Sequence, residues 1–252
     1  MNDSILQHCA EIDRCNQRGG RMLSVADLLS AGTQTPPLAA YLFAAIGRGA
    51  SFMVGARPGG AGKTTVMGAL LNAVPADVPL HAADSAATIA AGCDARLARR
   101  CYVCHEISPG DYYAYLWDED LRQYFRLSDS GHMLATNLHA DTYGEARDQV
   151  CGDNGVPEAH LRRMNLILFV QVEGWNGPRR IASVWEGDGN AAHRRIYDVD
   201  GGGFSIDESH MVSPAQWQSA NRLIERILQS GIRTIREVRE EVVREDPPLR
   251  GR

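Results

Sequence analysis

A glycine-rich loop between an apolar run and a helical segment constrains this chain more than any other feature. The run at 50–55 is apolar enough to be a buried strand, and glycine and alanine dominate the loop that follows it. The segment from Lys63 to Val74 has a helical pattern that Pro75 stops. A strand, a flexible turn and a helix in this order present backbone N–H groups at a helix N-terminus, where phosphate groups bind.

Lys63 is the only lysine among the 26 lysine and arginine residues of the chain. Arginine can replace lysine as a solvated surface charge, but it does not readily replace a compact ammonium that fits between two phosphate groups. We therefore expect Lys63 to reach the outer phosphates of a nucleotide and the hydroxyl of Thr64 to ligate magnesium. The usual spacing of such a loop would place a glycine at position 57, where this chain has Arg57. The residues predicted to bind the nucleotide are Gly59, Gly60, Ala61, Gly62, Lys63, Thr64 and Thr65.

Apolar strand-like runs alternate with helical patterns through the middle of the chain. The predicted strands span 50–55, 80–83, 101–105, 133–137 and 166–172, with a hairpin at 179–186 and 194–199. The predicted helices between them span 88–99, 111–125, 143–150 and 157–164. This alternation predicts an α/β fold with a mostly parallel sheet. We expect three parts: a short helical N-terminal segment over 1–49, a core over 50–200, and a helical C-terminal extension over 201–252.

Polar residues follow several of the predicted strands at the end where ligands bind in parallel sheets. Glu106 ends the strand at 101–105, where a carboxylate can orient or deprotonate the water that attacks a phosphate. Asp84 follows the strand at 80–83 and is a candidate magnesium ligand, with a turn or helix-cap aspartate as the alternative. His132 and His139 flank the strand at 133–137, and we expect an imidazole there to contact the γ-phosphate.

Composition and charge narrow the class of protein. The 252 residues include 44% hydrophobic and 23% charged residues, which is typical of a folded globular chain. A net charge of -5 argues against general electrostatic binding of nucleic acid, so we expect no specific nucleic-acid partner. No run approaches the ~20 apolar residues that span a bilayer. The first residues lack the pattern of a secretion signal, so we predict a cytoplasmic protein.

The six cysteines do not form the dense pattern of a disulfide framework. Cys101 and Cys104 lie in an apolar run and are predicted to be buried strand residues rather than zinc ligands. A metal site at His8, Cys9 and Cys15 is the other possibility, but it lacks a fourth ligand at a suitable spacing.

Several of these segments, in order, resemble the ATPases of type II and type IV secretion systems, and tight-adherence pilus ATPases in particular. The segment 23–75 resembles their two helices followed by a strand, a glycine-rich loop and Gly-Lys-Thr-Thr. The segment 131–140 resembles their histidine box, and 80–86 resembles their aspartate box. The segment 101–107 resembles their Walker B strand, with Glu106 as its glutamate. The segment 161–184 resembles their apolar strand and the Arg-Arg-hydrophobic motif, which Glu186 closes.

The resemblance implies a RecA-like P-loop NTPase core that binds ATP and Mg²⁺ and hydrolyses ATP. It implies catalytic roles for Lys63, Glu106 and His139 and magnesium contacts for Thr64 and Asp84. It also implies a homo-hexameric ring that couples to an inner-membrane pilus or secretion platform protein, with the chain in the cytoplasm or peripherally at the inner face of the cell membrane.

The chain departs from this family in ways that keep other functions open. Only about fifty residues precede the loop in this sequence, and on that basis we expect the family's separate N-terminal domain to be missing. The segment between Asp84 and Glu106 is short, and its arginines Arg96, Arg99 and Arg100 are the only candidates there to reach a neighbouring subunit. One alternative is a degenerate nucleotide-binding switch or assembly factor with little hydrolysis. The other is a P-loop kinase.

Overall fold

The computed structural model describes residues 3–16, 19–57, 59–94, 96–174 and 177–250, and only the backbone of residues 246–250. The described residues form a three-layer α/β arrangement. Its strands are β1 Phe52–Gly55, β2 Leu80–Ala82, β3 Cys101–Ile107, β4 Tyr115–Leu116, β5 Met133–Leu138, β6 Leu166–Val172, β7 Arg179–Glu186 and β8 Arg194–Asp198. Its α-helices are α1 Asp3–Arg14, α2 Val25–Ser30, α3 Pro36–Gly47, α4 Lys63–Leu71, α5 Ala86–Gly92, α6 Asp118–Arg126, α7 Tyr143–Arg147, α8 Glu158–Arg162, α9 Pro214–Gln229 and α10 Ile235–Arg250.

One sheet carries all these strands, in the order β2-β3-β5-β1-β6-β7-β8, with β4 added at the end of β3. The pairs from β2 to β6 are parallel, and so is the pair of β3 with β4. The pairs β6–β7 and β7–β8 are antiparallel. The prediction of a mostly parallel sheet with a closing hairpin is therefore confirmed.

The central strands are apolar on both faces because helices cover both. On β1, Phe52 and Val54 point to a core built with α3, α4, α9 and α10, and Met53 points to a second core with α5, α6 and α8. Helix α4 leads from β1 towards β2 on the first face, whereas α7 and α8 lead from β5 towards β6 on the second. The neighbouring strands β1 and β5 thus send their connections in opposite directions, which creates a crevice at their carboxyl ends.

Residues from both ends of the chain contribute to the first core. Ile12 of α1, Phe43 of α3 and Leu223 of α9 are fully buried in the same cluster as the strands. The carboxylate of Glu186, at the end of β7, links α3 to the segment before α9, because it accepts hydrogen bonds of 2.6 Å from both the Tyr41 hydroxyl and the Ser209 hydroxyl. None of the described helices is long and apolar enough to cross a membrane.

Two predicted helices are wrong in extent. The helix predicted over 88–99 is α5, which begins after the capping residue Ser85 and ends at Gly92. Gly92 packs so tightly that a β-carbon on it would lie 2.5 Å from the hydroxyl of Tyr102. The helix predicted over 111–125 begins only at Asp118, because Gly110, Ala114 and Asp118 have positive φ and the chain between them forms β4.

Candidate functional site

The glycine-rich loop connects the end of β1 to the start of α4. Gly60 and Gly62 have φ of 90° and 99°, in the left-handed region that residues with side chains adopt at a steric cost. Gly62 is the residue before α4, and its carbonyl accepts a hydrogen bond of 2.9 Å from the N–H of Val66. The first N–H groups of a helix cannot bond within that helix, and the helix dipole favours an anion at this end.

Lys63 lies at the centre of the site and is only 6% exposed. Its Nζ donates a hydrogen bond of 3.0 Å to the carbonyl of Ala56. The same atom lies 3.6 Å from Oε2 of Glu106 and 3.4 Å from Nδ1 of His139. The structure therefore brings together the three side chains that the sequence proposes as catalytic.

Glu106 is buried near the end of β3. Burial raises the pKa of its carboxyl group, and the positive charge of Lys63 followed by that of His139 only partly offsets this effect. A carboxylate with a raised pKa is a better proton acceptor. Its Oε1 is buried without a hydrogen-bond partner among the described residues, so it can still accept a hydrogen bond from a ligand or a water molecule.

His139 follows the last residue of β5 and lies between Glu106 and the start of the glycine-rich loop. Its Nε2 lies 3.8 Å from Oε1 of Glu106. Its Nδ1 lies 3.2 Å from the carbonyl oxygen of Arg57, at the start of the loop. The imidazole is 43% exposed, so it can contact both the loop and a bound ligand.

Arg57 occupies the position where a glycine is usual, and the structure shows why a side chain fits there. Its backbone N–H donates to Asp141 at 2.8 Å, and its guanidinium pairs with Glu145 at 2.6 Å, just before and within α7. The side chain is thus directed to α7 and leaves the front of the loop open.

A cavity of about 490 Å³ opens in front of the loop. It is lined by residues 59–65 of the loop and α4, by Glu106 and His139, and by Tyr115 of β4. Residues 16, 19 and 21–23, between α1 and α2, complete the lining. A single ligand could therefore contact both the loop and the segment before α2.

The two predicted magnesium ligands lie in different places. Thr64 lines the cavity beside Lys63. Asp84 lines a separate surface cavity with residues 108–113, and its Oδ1 accepts a hydrogen bond of 2.9 Å from the hydroxyl of Thr88. The role of Asp84 as a magnesium ligand remains a prediction.

His132 lies at the opposite end of β5 from His139. Its Nδ1 accepts a hydrogen bond of 3.1 Å from the backbone N–H of Arg100, and its Nε2 lies 2.9 Å from the carbonyl of Gly92. It therefore joins the connection between α5 and β3 to the segment that leads into β5, at the amino end of the sheet. Of the two histidines that flank this strand, only His139 lies at the glycine-rich loop.

Cys101 and Cys104 are fully buried in β3, which confirms the prediction that they are buried strand residues. No sequence pattern indicates the contact between Cys15 and His105, in which Sγ lies 3.4 Å from Nε2. No pattern assigns a role to Tyr115 or to the segment before α2 either.

Comparison with known proteins gives a distant structural likeness. No family model matches the chain, and no curated protein matches it. Among solved structures, the chain is similar to the VirB11 ATPase of the Brucella suis type IV secretion system in complex with sulphate, with 19% sequence identity and a TM-score of 0.46. The match covers 64% of this chain and 54% of that chain, so this chain spans about half the length of that structure. The geometry of the site itself therefore carries the functional proposal.

Proposed function

We propose that this chain binds ATP with Mg²⁺ at the glycine-rich loop and hydrolyses it. The observation that carries the proposal is the position of the only lysine. Lys63 is buried close to the Glu106 carboxylate and lines a cavity together with the rest of the loop and the first residues of α4. A compact cation in a glycine-rich loop at a helix N-terminus is the arrangement that holds the outer phosphates of a nucleotide.

The side chains around the cavity have distinct roles in this proposal. Residues 59–65 bind the phosphates, with Lys63 at the outer ones. Glu106 orients or deprotonates the attacking water, and His139 contacts the γ-phosphate. Hard oxygen ligands suit Mg²⁺, and the hydroxyl of Thr64 is one on the cavity wall. The magnesium ion would neutralise phosphate charge, while Asp84 would assist only if its loop moved towards the cavity.

We further propose that the chain is a motor subunit of the kind found in type II or type IV secretion and pilus assembly. It would form a homo-hexamer in the cytoplasm and dock on an inner-membrane platform protein. The order of the sequence motifs supports this proposal. The molar mass in solution with ATP and Mg²⁺, measured by light scattering, tests the ring: a hexamer supports it, and a monomer at micromolar concentration contradicts it.

A nucleotide-binding switch with slow hydrolysis is the second candidate. The contact between Nζ of Lys63 and Oε2 of Glu106 favours it, because the charge of the ammonium lowers the pKa of the carboxyl group and so weakens it as a base towards water. In a switch, nucleotide binding would draw Lys63 away from Glu106 and change the protein without rapid turnover. The rate of phosphate release from saturated protein separates the two functions.

The test compares wild type with Lys63→Ala and Glu106→Gln. We expect Lys63→Ala to lose most of its affinity for Mg-ATP, because the outer phosphates lose their cation. We expect Glu106→Gln to bind normally and to hydrolyse roughly a hundredfold more slowly, as is typical when a general base is removed. Binding is measured with a fluorescent nucleotide and hydrolysis by phosphate release.

Arg57→Ala is the matched control, since Arg57 is a cation of the same loop whose side chain points to Glu145. It should leave affinity close to that of wild type. Normal nucleotide binding by Lys63→Ala would contradict the proposed site. Binding without measurable turnover in wild type would favour the switch.

A further inference from the structure

Arg179, the first residue of β7, contacts the glycine-rich loop and is not one of the residues that line the cavity. Its Nη2 lies 3.5 Å from the carbonyl oxygen of Gly60. Its aliphatic stem covers Gly62, because a β-carbon on that glycine would lie 3.8 Å from Cγ of Arg179. A residue 119 positions further along the chain thus packs against the loop that holds Lys63.

The charge of Arg179 is not neutralised by a neighbouring carboxylate. Among the described residues it forms no ion pair, and its other hydrogen bond goes to the carbonyl of Gly177 at 3.4 Å. The next residue, Arg180, differs in this respect, since its Nη1 pairs with Glu173 at 3.0 Å. Neighbouring residues of a strand point to opposite faces, so only Arg179 is directed to the loop.

The geometry of the peptide bond carries the effect of this charge through the loop. The C=O of Gly60 and the N–H of Ala61 belong to one planar trans peptide, in which the two groups point in opposite directions. A guanidinium at the oxygen therefore leaves the N–H of Ala61 directed away from Arg179. Ala61 lines the cavity, so a positive charge behind this peptide strengthens the N–H as a donor to an anion in front of it.

We propose that Arg179 is a second cation of the phosphate site, supplied by the same chain from the β6–β7 hairpin. It acts as a positioning residue, because it contacts the loop and reaches the phosphates only through it. It fixes the orientation of the Gly60–Ala61 peptide and raises the electrostatic potential where the phosphates bind. This inference rests on the proposed function, since it requires a phosphorylated ligand in front of the loop.

The test measures the affinity for Mg-ADP and Mg-ATP of wild type, Arg179→Gln, Arg179→Lys and the matched control Arg180→Gln. We expect Arg179→Gln to bind both nucleotides about tenfold more weakly at low ionic strength, because it loses the charge. Arg179→Lys keeps the charge and should retain most of the affinity. Arg180→Gln should bind like wild type.

Salt dependence distinguishes a charge from a simple packing role. Screening is weak at an ionic strength of about 0.01 M and strong above about 0.15 M. The affinity ratio of wild type to Arg179→Gln should therefore shrink as salt is added. Thermal unfolding of each variant checks that the fold is intact, which we expect because Arg179 is exposed.

Each possible result decides the inference. A salt-dependent loss in Arg179→Gln, with rescue by Arg179→Lys, supports it. It is overturned if Arg179→Gln matches Arg180→Gln, if Arg179→Lys is as weak as Arg179→Gln, or if the loss does not change with salt. Lys63→Ala, measured in parallel, separates a wrong role for Arg179 from a wrong proposed function. Normal nucleotide binding by Lys63→Ala would contradict the proposed phosphate site itself.

Discussion

The thiol of Cys15 and the imidazole of His105 form a buried contact one residue before Glu106. Burial lowers the pKa of His105 to about 4 and raises that of Cys15 to about 12, so both groups are neutral at pH 7. Nδ1 of His105 is buried and has no hydrogen-bond partner among the described residues. A proton on this imidazole would thus place a poorly solvated charge beside the strand that carries Glu106.

The burial of His105 predicts that the free energy of unfolding falls in mild acid. The pKa of His105 falls from its ordinary value of 6.5 to about 4 on folding, so the unfolded chain takes up the proton first. The stabilisation is complete above pH 6.5 and is lost as the pH falls towards 4, by up to about 3 kcal/mol. Urea unfolding of wild type and His105→Asn between pH 7 and 4 should show a smaller pH dependence for the variant.

The exposed His210 provides the control for this measurement. His210→Asn should keep the pH dependence of wild type. An unchanged slope in His105→Asn would mean that other groups cause the acid sensitivity. His8 is one such group, because burial and the charge of Arg239 also lower its pKa.

At the scale of elements, α10 closes the end of α4 that lies furthest from the loop. Arg239 of α10 is 2% exposed and donates through Nη1 to the carbonyls of Asn72 and Val74, and through Nη2 to that of Pro75. Carbonyl groups at a helix C-terminus have no partner within the helix. A buried cation there is favoured by the helix dipole, so the C-terminal extension stabilises the helix that begins with Lys63.

We expect Arg239→Met to destabilise the protein by about 2–4 kcal/mol, because it leaves several buried carbonyls without donors. Arg236→Met is the matched control on the same helix, since Arg236 is half-exposed and pairs only with Glu240; it should cost less than about 1 kcal/mol. Free energies of unfolding in urea provide the comparison. Equal losses in the two variants would contradict the role given to Arg239.

Sequence patterns predicted the features that depend on local residue patterns or on the positions at which strands end. The order of the strands along the chain, the closing hairpin and the meeting of Lys63, Glu106 and His139 all follow from strand-end positions. Sequence patterns did not predict the positive φ of Ala114 and Asp118 or the tight packing of Gly92, because no local residue pattern specifies these features. The contacts of Arg179 and His105 also depend on tertiary packing across 119 and 90 positions.

At the scale of the whole molecule, the ends of the chain contribute to the central core. Leu223, Ile224 and Ile227 of α9 are fully buried in the cluster that also contains α3 and α4. An amphipathic helix with this much buried surface stabilises the protein to which it packs. The three-part division at residues 49 and 200 remains a prediction about organisation, and its parts share one hydrophobic cluster.

A truncation tests how far the C-terminal extension is required. We expect a chain that ends at residue 200 to lose its cooperative thermal transition, because removing α9 and α10 exposes the apolar face of α3 to water. A chain that ends at Glu245, which retains its ion pair with Arg226, should unfold cooperatively. Cooperative unfolding of the shorter chain would show that residues up to 200 fold independently.

The burial of Lys63 has a practical chemical consequence. Lys63 is the only lysine, so an amine-selective reagent has one side-chain target in the whole protein. Because Lys63 is 6% exposed and its Nζ is close to Glu106, we expect slow acylation that a ligand bound to the ammonium slows further. The extent of modification of the Lys63 peptide in mass spectrometry would then act as a footprint of this site.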